Sequence, residues 1–314
     1  MERDLGNSPI YVVTGPTASG KTELGVELAL RVGGEVINCD SVQIYREIQI
    51  ATAKPSMAER RGVPHHLIDY VDPSVNYTAA DWASDAAAKI VEIEARGNVP
   101  VLVGGTGFYL RALRQPLFEA PKTDEKLRER IHDIYTERGT EHLHAMLMRV
   151  DPTTAARLPV RDHIRVTRAL EVYFQTGKPL SEQHSNTPAP SEFACRIRLF
   201  VLDPPREELY DKINRRTEQH FEAGLVDEVT ELVAKGVRQD GNALGAHGYR
   251  RVCEYLRSER SLEWALEKSK QDVRNYAKRQ LTWFRREPDV IWLHGFGGDE
   301  SVKEEILRYA GVAK

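Results

Sequence analysis

The sequence predicts an α/β fold: a parallel sheet flanked by helices, built around a phosphate-binding loop and interrupted by an inserted helical subdomain. Three observations predict it. Short apolar runs alternate with amphipathic helical stretches in the N-terminal third. The octapeptide Gly15-Pro16-Thr17-Ala18-Ser19-Gly20-Lys21-Thr22 fits G-x-x-x-x-G-K-[ST] and sits between the first apolar run and the first helical stretch. The middle of the chain then turns helical before a strongly apolar run resumes the strand pattern.

Taken in order, residues 10–14 (IYVVT) read as a buried strand ending in a glycine turn, and 21–32 as a helix. Residues 35–39 (EVINC) read as a second strand, with Asp40 at its carboxyl end. A helix over 79–96 leads to a third strand, 100–103 (PVLV), which runs into Gly104-Gly105-Thr106-Gly107. Strands joined by helical crossovers form a parallel sheet, and ligands then bind beyond the carboxyl ends of the strands. Residues 124–177 are helical, with LRERIHDIYTERG and RVTRALEVYFQTG as the clearest pieces, and 179–190 read as a loop. The run 197–202 (IRLFVL) is expected to rejoin the first sheet. This gives a P-loop NTPase-like core of 1–120 and 192–314 with an inserted helical domain at 121–191. Residues 206–289 read as helical, and 290–293 as a strand that closes the sheet.

Composition narrows the class. Of 314 residues, 41% are hydrophobic and 29% charged, the balance of a soluble globular enzyme. Cys39, Cys195 and Cys253 are isolated, which supports neither a disulfide framework nor a zinc site and points to a reducing compartment, the cytoplasm. The first apolar run is far too short to span a membrane. The net charge is −3, yet basic residues cluster. RNYAKRQLTWFRR, residues 274–286, carries five basic residues and no acid; Lys212, Arg215 and Arg216 form a second group, and Arg161, Arg165 and Arg168 a third. Each alone reads as a solvated helix face. Three in one acidic chain point to an anionic macromolecule.

The octapeptide specifies polyphosphate binding. Its glycines turn backbone N–H groups inward and the helix N-terminus adds a favourable field for an anion. Lys21 supplies a point charge, and Thr22 a hydroxyl for Mg²⁺. An ATP-hydrolysing enzyme usually adds an aspartate after an apolar strand. PVLV runs into glycines instead, a layout that suits small kinases and transferases. Asp40 reads equally well as a general base facing the loop and as the cap of the following turn. Thr106 offers a hydroxyl near a leaving phosphate, whereas the glycines around it also suit a plain tight turn.

These residues resemble the tRNA dimethylallyltransferases, or tRNA isopentenyltransferases, the bacterial family that modifies adenine 37. The resemblance covers nearly the whole chain: GPTASGKT, DSVQIY, TAKP (52–55), PHHLID (64–69), VGGTGFYLRAL (103–113), RALEVYFQTGKPLSE (168–182), GLVDEV (224–229), GYR (248–250) and YAKRQLTWFR (276–285). It departs at Asn38, where serine is usual, at Ala51 for glycine, and at His247 for an aliphatic residue.

The resemblance implies transfer of a dimethylallyl group from dimethylallyl diphosphate to N6 of adenine 37, beside the anticodon, using Mg²⁺; a monomer is the default expectation. It implies that residues 15–22 hold the donor diphosphate rather than ATP, with Thr22 at the metal and Arg216 pairing from the far side. Asp40 takes the amine proton and Thr106 bonds the donor near its leaving oxygen. Asp40, Ser41, Val42 and Gln43 line the acceptor channel. Arg128, Ile164, Arg165, Val166, Thr167 and Arg168, with Gly248, Tyr249 and Arg250, are the implied tRNA contacts. A kinase of small metabolites would share the loop but not the basic run 274–286. An enzyme acting on free adenine nucleotides would share the core but not the extra tRNA-binding surface.

Overall fold

A computed structural model of the chain describes residues 8–117, 121, 124–184 and 189–312. Six strands, β1 (Ile10–Thr14), β2 (Gly34–Asn38), β3 (His65–His66), β4 (Val99–Val103), β5 (Ile197–Leu202) and β6 (Val290–Leu293), form one sheet in the order β3-β2-β4-β1-β5-β6. Every pairing is parallel. IYVVT and VPVLV are apolar up to Thr14 because β1 and β4 lie inside the sheet, buried at each residue.

Helices α1 (Lys21–Val32), α2 (Met57–Arg60), α3 (Ala79–Ala95) and α4 (Gly107–Arg114) belong to the first part of the chain. Helices α5 (Glu125–Val150), α6 (Pro152–Arg157), α7 (His163–Thr176) and α8 (Leu180–His184) fill the middle. Helices α9 (Arg206–Glu222), α10 (Leu225–Ala234), α11 (Tyr249–Leu256), α12 (Leu262–Phe284) and α13 (Glu300–Tyr309) follow. The chain divides into two compact units, Met1–Arg114 with Ser191–Lys314, and Gln115–Pro190.

In the first unit, Leu24 and Leu28 of α1 and Val302 and Ile306 of α13 share a core with Val13, Val101 and Leu202 of the sheet. Trp82 of α3 is fully buried and stacks on Tyr109 of α4 with ring centroids 4.9 Å apart. Its indole N–H donates to the Asn38 carbonyl at 2.9 Å, so burial leaves no unpaired donor there. In the second unit, Ile131, Leu143 and Leu147 of α5 pack with Val166, Ala169 and Leu170 of α7. Asp124, Asp151 and Asp162 cap α5, α6 and α7 by accepting the N–H of Leu127, Thr154 and Arg165. Gly139, at φ 79°, breaks the helical run of α5 where the sequence piece LRERIHDIYTERG ends.

Two expectations change and one strand is added. Residues 179–190 are not all loop: Leu180–His184 form α8, because Leu180 packs on the α5–α7 core and the Ser181 N–H is fixed by Asp151 Oδ2 at 2.9 Å. Residues 185–188 of that expected loop lie outside the described residues. The two-residue β3, paired to Val36 and Ile37, was not expected, since so short a strand carries no periodicity. Residues 206–289 are helical only in pieces, with irregular backbone over 237–248.

Candidate active site

The three strand ends that the sequence marks as polar or glycine-rich belong to the adjacent strands β2, β4 and β1. After β1, the phosphate loop turns through Ala18 at φ 65° and Gly20 at φ 85°, both left-handed. Gly20 is the N-cap of α1 and supplies no side-chain cap, so the first N–H groups of the helix are left for an anion. The loop holds an alanine in a left-handed conformation that costs about 1–3 kcal/mol, a strain typical of ligand clamps.

Lys21 Nζ donates to the Pro16 carbonyl at 3.2 Å. Burial lowers the Lys21 pKa to about 8; the Asp40 charge opposes this and Arg216 adds to it. Arg216 comes from α9 and its guanidinium donates to Thr17 Oγ1. Burial also lowers the Arg216 pKa, against the pull of Asp40. The Asp40 charge thus acts on both cations. His220, one turn beyond Arg216, is held neutral, its pKa lowered to about 4 by burial and by Arg216.

The capping reading of Asp40 is realised in one of its two oxygens. Oδ1 accepts the N–H of Val42 at 2.9 Å and of Gln43 at 3.3 Å, closing the turn after β2. Oδ2 has no hydrogen-bond partner among the described residues. Thr106 Oγ1 accepts the Ser41 N–H at 3.0 Å and lies 3.4 Å from Ser41 Oγ, and the Thr106 N–H donates to the Cys39 carbonyl at 3.1 Å. The two loops touch so closely that a Cβ at Gly104 would lie 2.1 Å from the Cys39 carbonyl oxygen. Gln43 turns its amide onto the carbonyls of Thr52 and Ala53 at 3.0 and 3.1 Å.

Sequence reasoning missed one face of α12. Tyr276, Gln280 and Trp283 sit at helical spacing inside the run already noted for its charge. Burial, and then the Asp40 charge, push the Tyr276 hydroxyl pKa up, with Thr106 acting in the opposite sense. His247, the departure from the family pattern, lies against Tyr276 with ring centroids 4.5 Å apart. Burial and the Arg279 charge lower its pKa to about 4, so it presents a neutral ring. Gln280 is buried between the phosphate loop and the glycine loop. The aromatic residues Tyr276 and Trp283 mark this face at helical spacing, whereas nothing local in the sequence singles out Gln280.

The residues implied as tRNA contacts separate into two sorts. Ile164, Arg165 and Arg250 are exposed, and Thr167 and Arg168 half-buried. Val166 and Tyr249 are fully buried. Val166 belongs to the α7 core stripe, and Tyr249 donates to Glu228 Oε1 at 2.8 Å while accepting the Ala51 N–H at 3.0 Å. Glu228 also accepts the N–H groups of Gln49 and Ile50. Contact at positions 166 and 249 would therefore run through backbone or neighbouring side chains. Gly248 opens α11 at φ 85°. Arg128 and Arg168 both bond Glu171, which is completely buried, and Arg168 also donates to the Pro121 carbonyl. The departures also have structural places: the Asn38 amide donates to the Leu67 carbonyl at 2.9 Å, and Ala51 is the residue whose N–H meets Tyr249.

Among the described residues no group of three His, Cys, Asp or Glu could hold a metal. Hydroxyls are available instead: Thr22 at the head of α1, and Ser19 Oγ, buried without a hydrogen-bond partner.

The family model for IPP transferase matches residues 43–287. The chain is 45% identical over 301 residues to a tRNA dimethylallyltransferase of Geobacter metallireducens, covering 96% of this chain and 97% of that protein. The solved structure of the full-length tRNA isopentenylpyrophosphate transferase of Bacillus halodurans is 38% identical, with a TM-score of 0.69 and coverage of 97% of this chain and 96% of that one. A solved eukaryotic dimethylallyltransferase acting on tRNA is 27% identical, with a TM-score of 0.78 and coverage of 97% and 79%.

Proposed function

The chain belongs to the IPP transferase family, and from that premise we propose how its residues move a dimethylallyl group from dimethylallyl diphosphate to N6 of adenine 37 in tRNA. The products are N6-dimethylallyladenosine and diphosphate. The observation that carries the residue assignment is the Arg216 guanidinium bonded to Thr17 of the phosphate loop, with the Asp40 charge acting on both Lys21 and Arg216.

Residues 15–22 wrap the donor diphosphate with the N–H groups of the loop and of the first turn of α1. Lys21 and Arg216 meet its charge from two sides. An adenine amine is a weak nucleophile because its lone pair is delocalised into the ring. Asp40 Oδ2 accepts its proton as the N6–C1 bond forms and the C1–O bond to diphosphate breaks. Asp40 Oδ1 meanwhile keeps its turn, which holds the carboxylate in place. The Thr106 hydroxyl bonds the donor near the departing oxygen. Ser41, Val42 and Gln43 line the acceptor channel, and the neutral His247 ring, held against Tyr276, offers an aromatic face to a base drawn from its stack.

Members of the family use a divalent metal. The hydroxyls of Thr22 and Ser19 are oxygen donors of the kind that Mg²⁺ accepts together with phosphate oxygens, and we assign Mg²⁺ on that chemistry. What it supplies when bound is neutralisation of charge on the departing diphosphate. The unit Gln115–Pro190, with Arg165 exposed on α7, takes part in holding tRNA, together with Arg250. No described helix is long and apolar enough to cross a membrane; we place the enzyme in the cytoplasm, acting as a monomer.

Labelled dimethylallyl diphosphate offered with unmodified tRNA, AMP or ATP tests the reading. Label is expected in tRNA alone. Label in AMP or ATP would overturn the choice of acceptor, and label in none of them the reaction.

A further inference from the structure

Helix α12 reaches into the donor site through one side chain. Gln280 is 5% exposed, and its amide is fully engaged in two directions. Oε1 accepts the N–H of Thr17 at 2.8 Å, and Nε2 donates to the Gly105 carbonyl at 2.9 Å. Thr17 is the phosphate-loop residue that also receives the Arg216 guanidinium, and Gly105 immediately precedes Thr106. One planar amide therefore spans the loop after β1 and the loop after β4. The fit leaves no slack, since a Cβ on Gly105 would lie 2.1 Å from Gln280 Nε2.

Only a side chain with a donor and an acceptor on the same planar group, at this reach, makes both bonds. Glutamate lacks the donor, methionine lacks both functions, and asparagine is one methylene too short. Among the described residues the Thr106 side chain meets Ser41, after β2, and Tyr276 of α12, and Arg216 reaches Thr17; Gln280 is the side chain that bonds both loops. Without Gln280, the separation between the phosphate-binding N–H groups and the Thr106 hydroxyl rests on backbone, such as the Gly104 N–H bond to the Val13 carbonyl at 3.3 Å, and on the contact of Thr106 with Tyr276.

We propose that Gln280 is a positioning residue for the transfer reaction: it fixes the distance between the loop that grips the diphosphate and the Thr106 hydroxyl that bonds near the leaving oxygen. The proposal rests on the assignment of those two loops to the donor. Gln280 touches neither the reacting carbon nor the amine. Its effect is on geometry, which transfer senses far more steeply than affinity does, because misplacement of a reacting group by about 1 Å can cost roughly a hundredfold in rate.

The test is Gln280→Met, similar in size and shape but unable to make either bond, compared with the wild type in three measurements. These are affinity for inorganic diphosphate, single-turnover transfer to tRNA at saturating dimethylallyl diphosphate, and affinity for tRNA. The expected result is diphosphate affinity lower by about tenfold, as for lost buried hydrogen bonds, and a transfer rate lower by about a hundredfold that excess donor does not restore. Affinity for tRNA is expected to stay at the wild-type value. A wild-type transfer rate in a folded variant overturns the proposal. So does a parallel fall in tRNA affinity, which marks a general structural defect. If Gln280→Met does not fold, Gln280→Asn, which keeps an amide but cannot span both loops, is read by the same criteria. Failure of the underlying reading shows differently: the wild type itself then transfers no label to tRNA.

Discussion

Arg216 donates to Thr17 Oγ1 across 199 residues of sequence, joining α9 to the phosphate loop. A positive charge at the far side of the loop is thus fixed by a side-chain contact and not merely by proximity. Arg216→Gln removes that charge while leaving a polar group of similar length. Affinity for diphosphate is expected to fall by about ten- to a hundredfold, the range of one to two charge-assisted hydrogen bonds. Titration calorimetry with inorganic diphosphate measures it, and an unchanged affinity would place Arg216 outside the donor site.

Lys21 sets a pH dependence with a definite sign. Its pKa in the free enzyme is lowered to about 8 from 10.5. Only the protonated ammonium attracts the diphosphate, so affinity is expected to fall as pH rises through about 8, and binding above that pH should take up a proton. Calorimetry in buffers of different ionisation enthalpy reads the uptake directly. Lys21→Arg, charged at all these pH values, should show no uptake. For folding, the same depression means that Lys21 makes the free protein more stable as pH rises from about 8 toward 10.5, where the unfolded chain alone still holds the proton.

Asp40→Asn separates the two functions of the carboxylate. The amide oxygen can still accept the N–H groups of Val42 and Gln43, so the turn and the melting temperature should be kept. The amide cannot take a proton, and single-turnover transfer is expected to drop by about 10²–10⁴-fold. A near-normal rate would leave Asp40 as a turn cap only.

Salt dependence distinguishes Arg165 from Arg168. Arg165 is exposed and, among the described residues, pairs only with Asp162, which caps α7 through its other oxygen. Arg165→Gln should flatten the slope of log affinity for tRNA against log salt by about 0.7–0.9, as for one phosphate contact, with no change in melting temperature. Arg168→Gln strips a partner from the buried Glu171 and is expected to destabilise by about 1–3 kcal/mol. Neutralising both together would mix the two effects. Coincident salt slopes for Arg165→Gln and wild type would make Arg165 a solvated helix face.

Tyr249→Phe tests whether the GYR segment is structural. Its hydroxyl links Glu228 to the Ala51 N–H inside the protein. Loss of that link is expected to destabilise by about 1–3 kcal/mol in chemical denaturation. A loss of tRNA affinity at unchanged stability would instead make the hydroxyl a tRNA contact.

Local chemistry made much of this protein legible from sequence. The apolar runs of β1, β4 and β5 and the octapeptide between β1 and α1 carry their own physical signatures: burial on both faces, and glycines where the backbone must turn left-handed. Asp40 and Thr106 could be named because each follows a strand, and strand ends in a parallel sheet face one side. The tertiary structure decided what depends on distant partners. That Asp40 caps its turn through Oδ1, leaving Oδ2 without a partner among the described residues, shows only in the folded chain. Whether Arg168 is free for phosphate depended on Glu171, three residues on but buried beneath it. Gln280 sits in a stretch that reads as a charged helix, and only its placement between residues 17 and 105 gives it a role. A hydrogen bond between residues far apart in the chain leaves no periodicity or composition for sequence to show, because its energy comes from geometry that exists only once the sheet has brought the loops together.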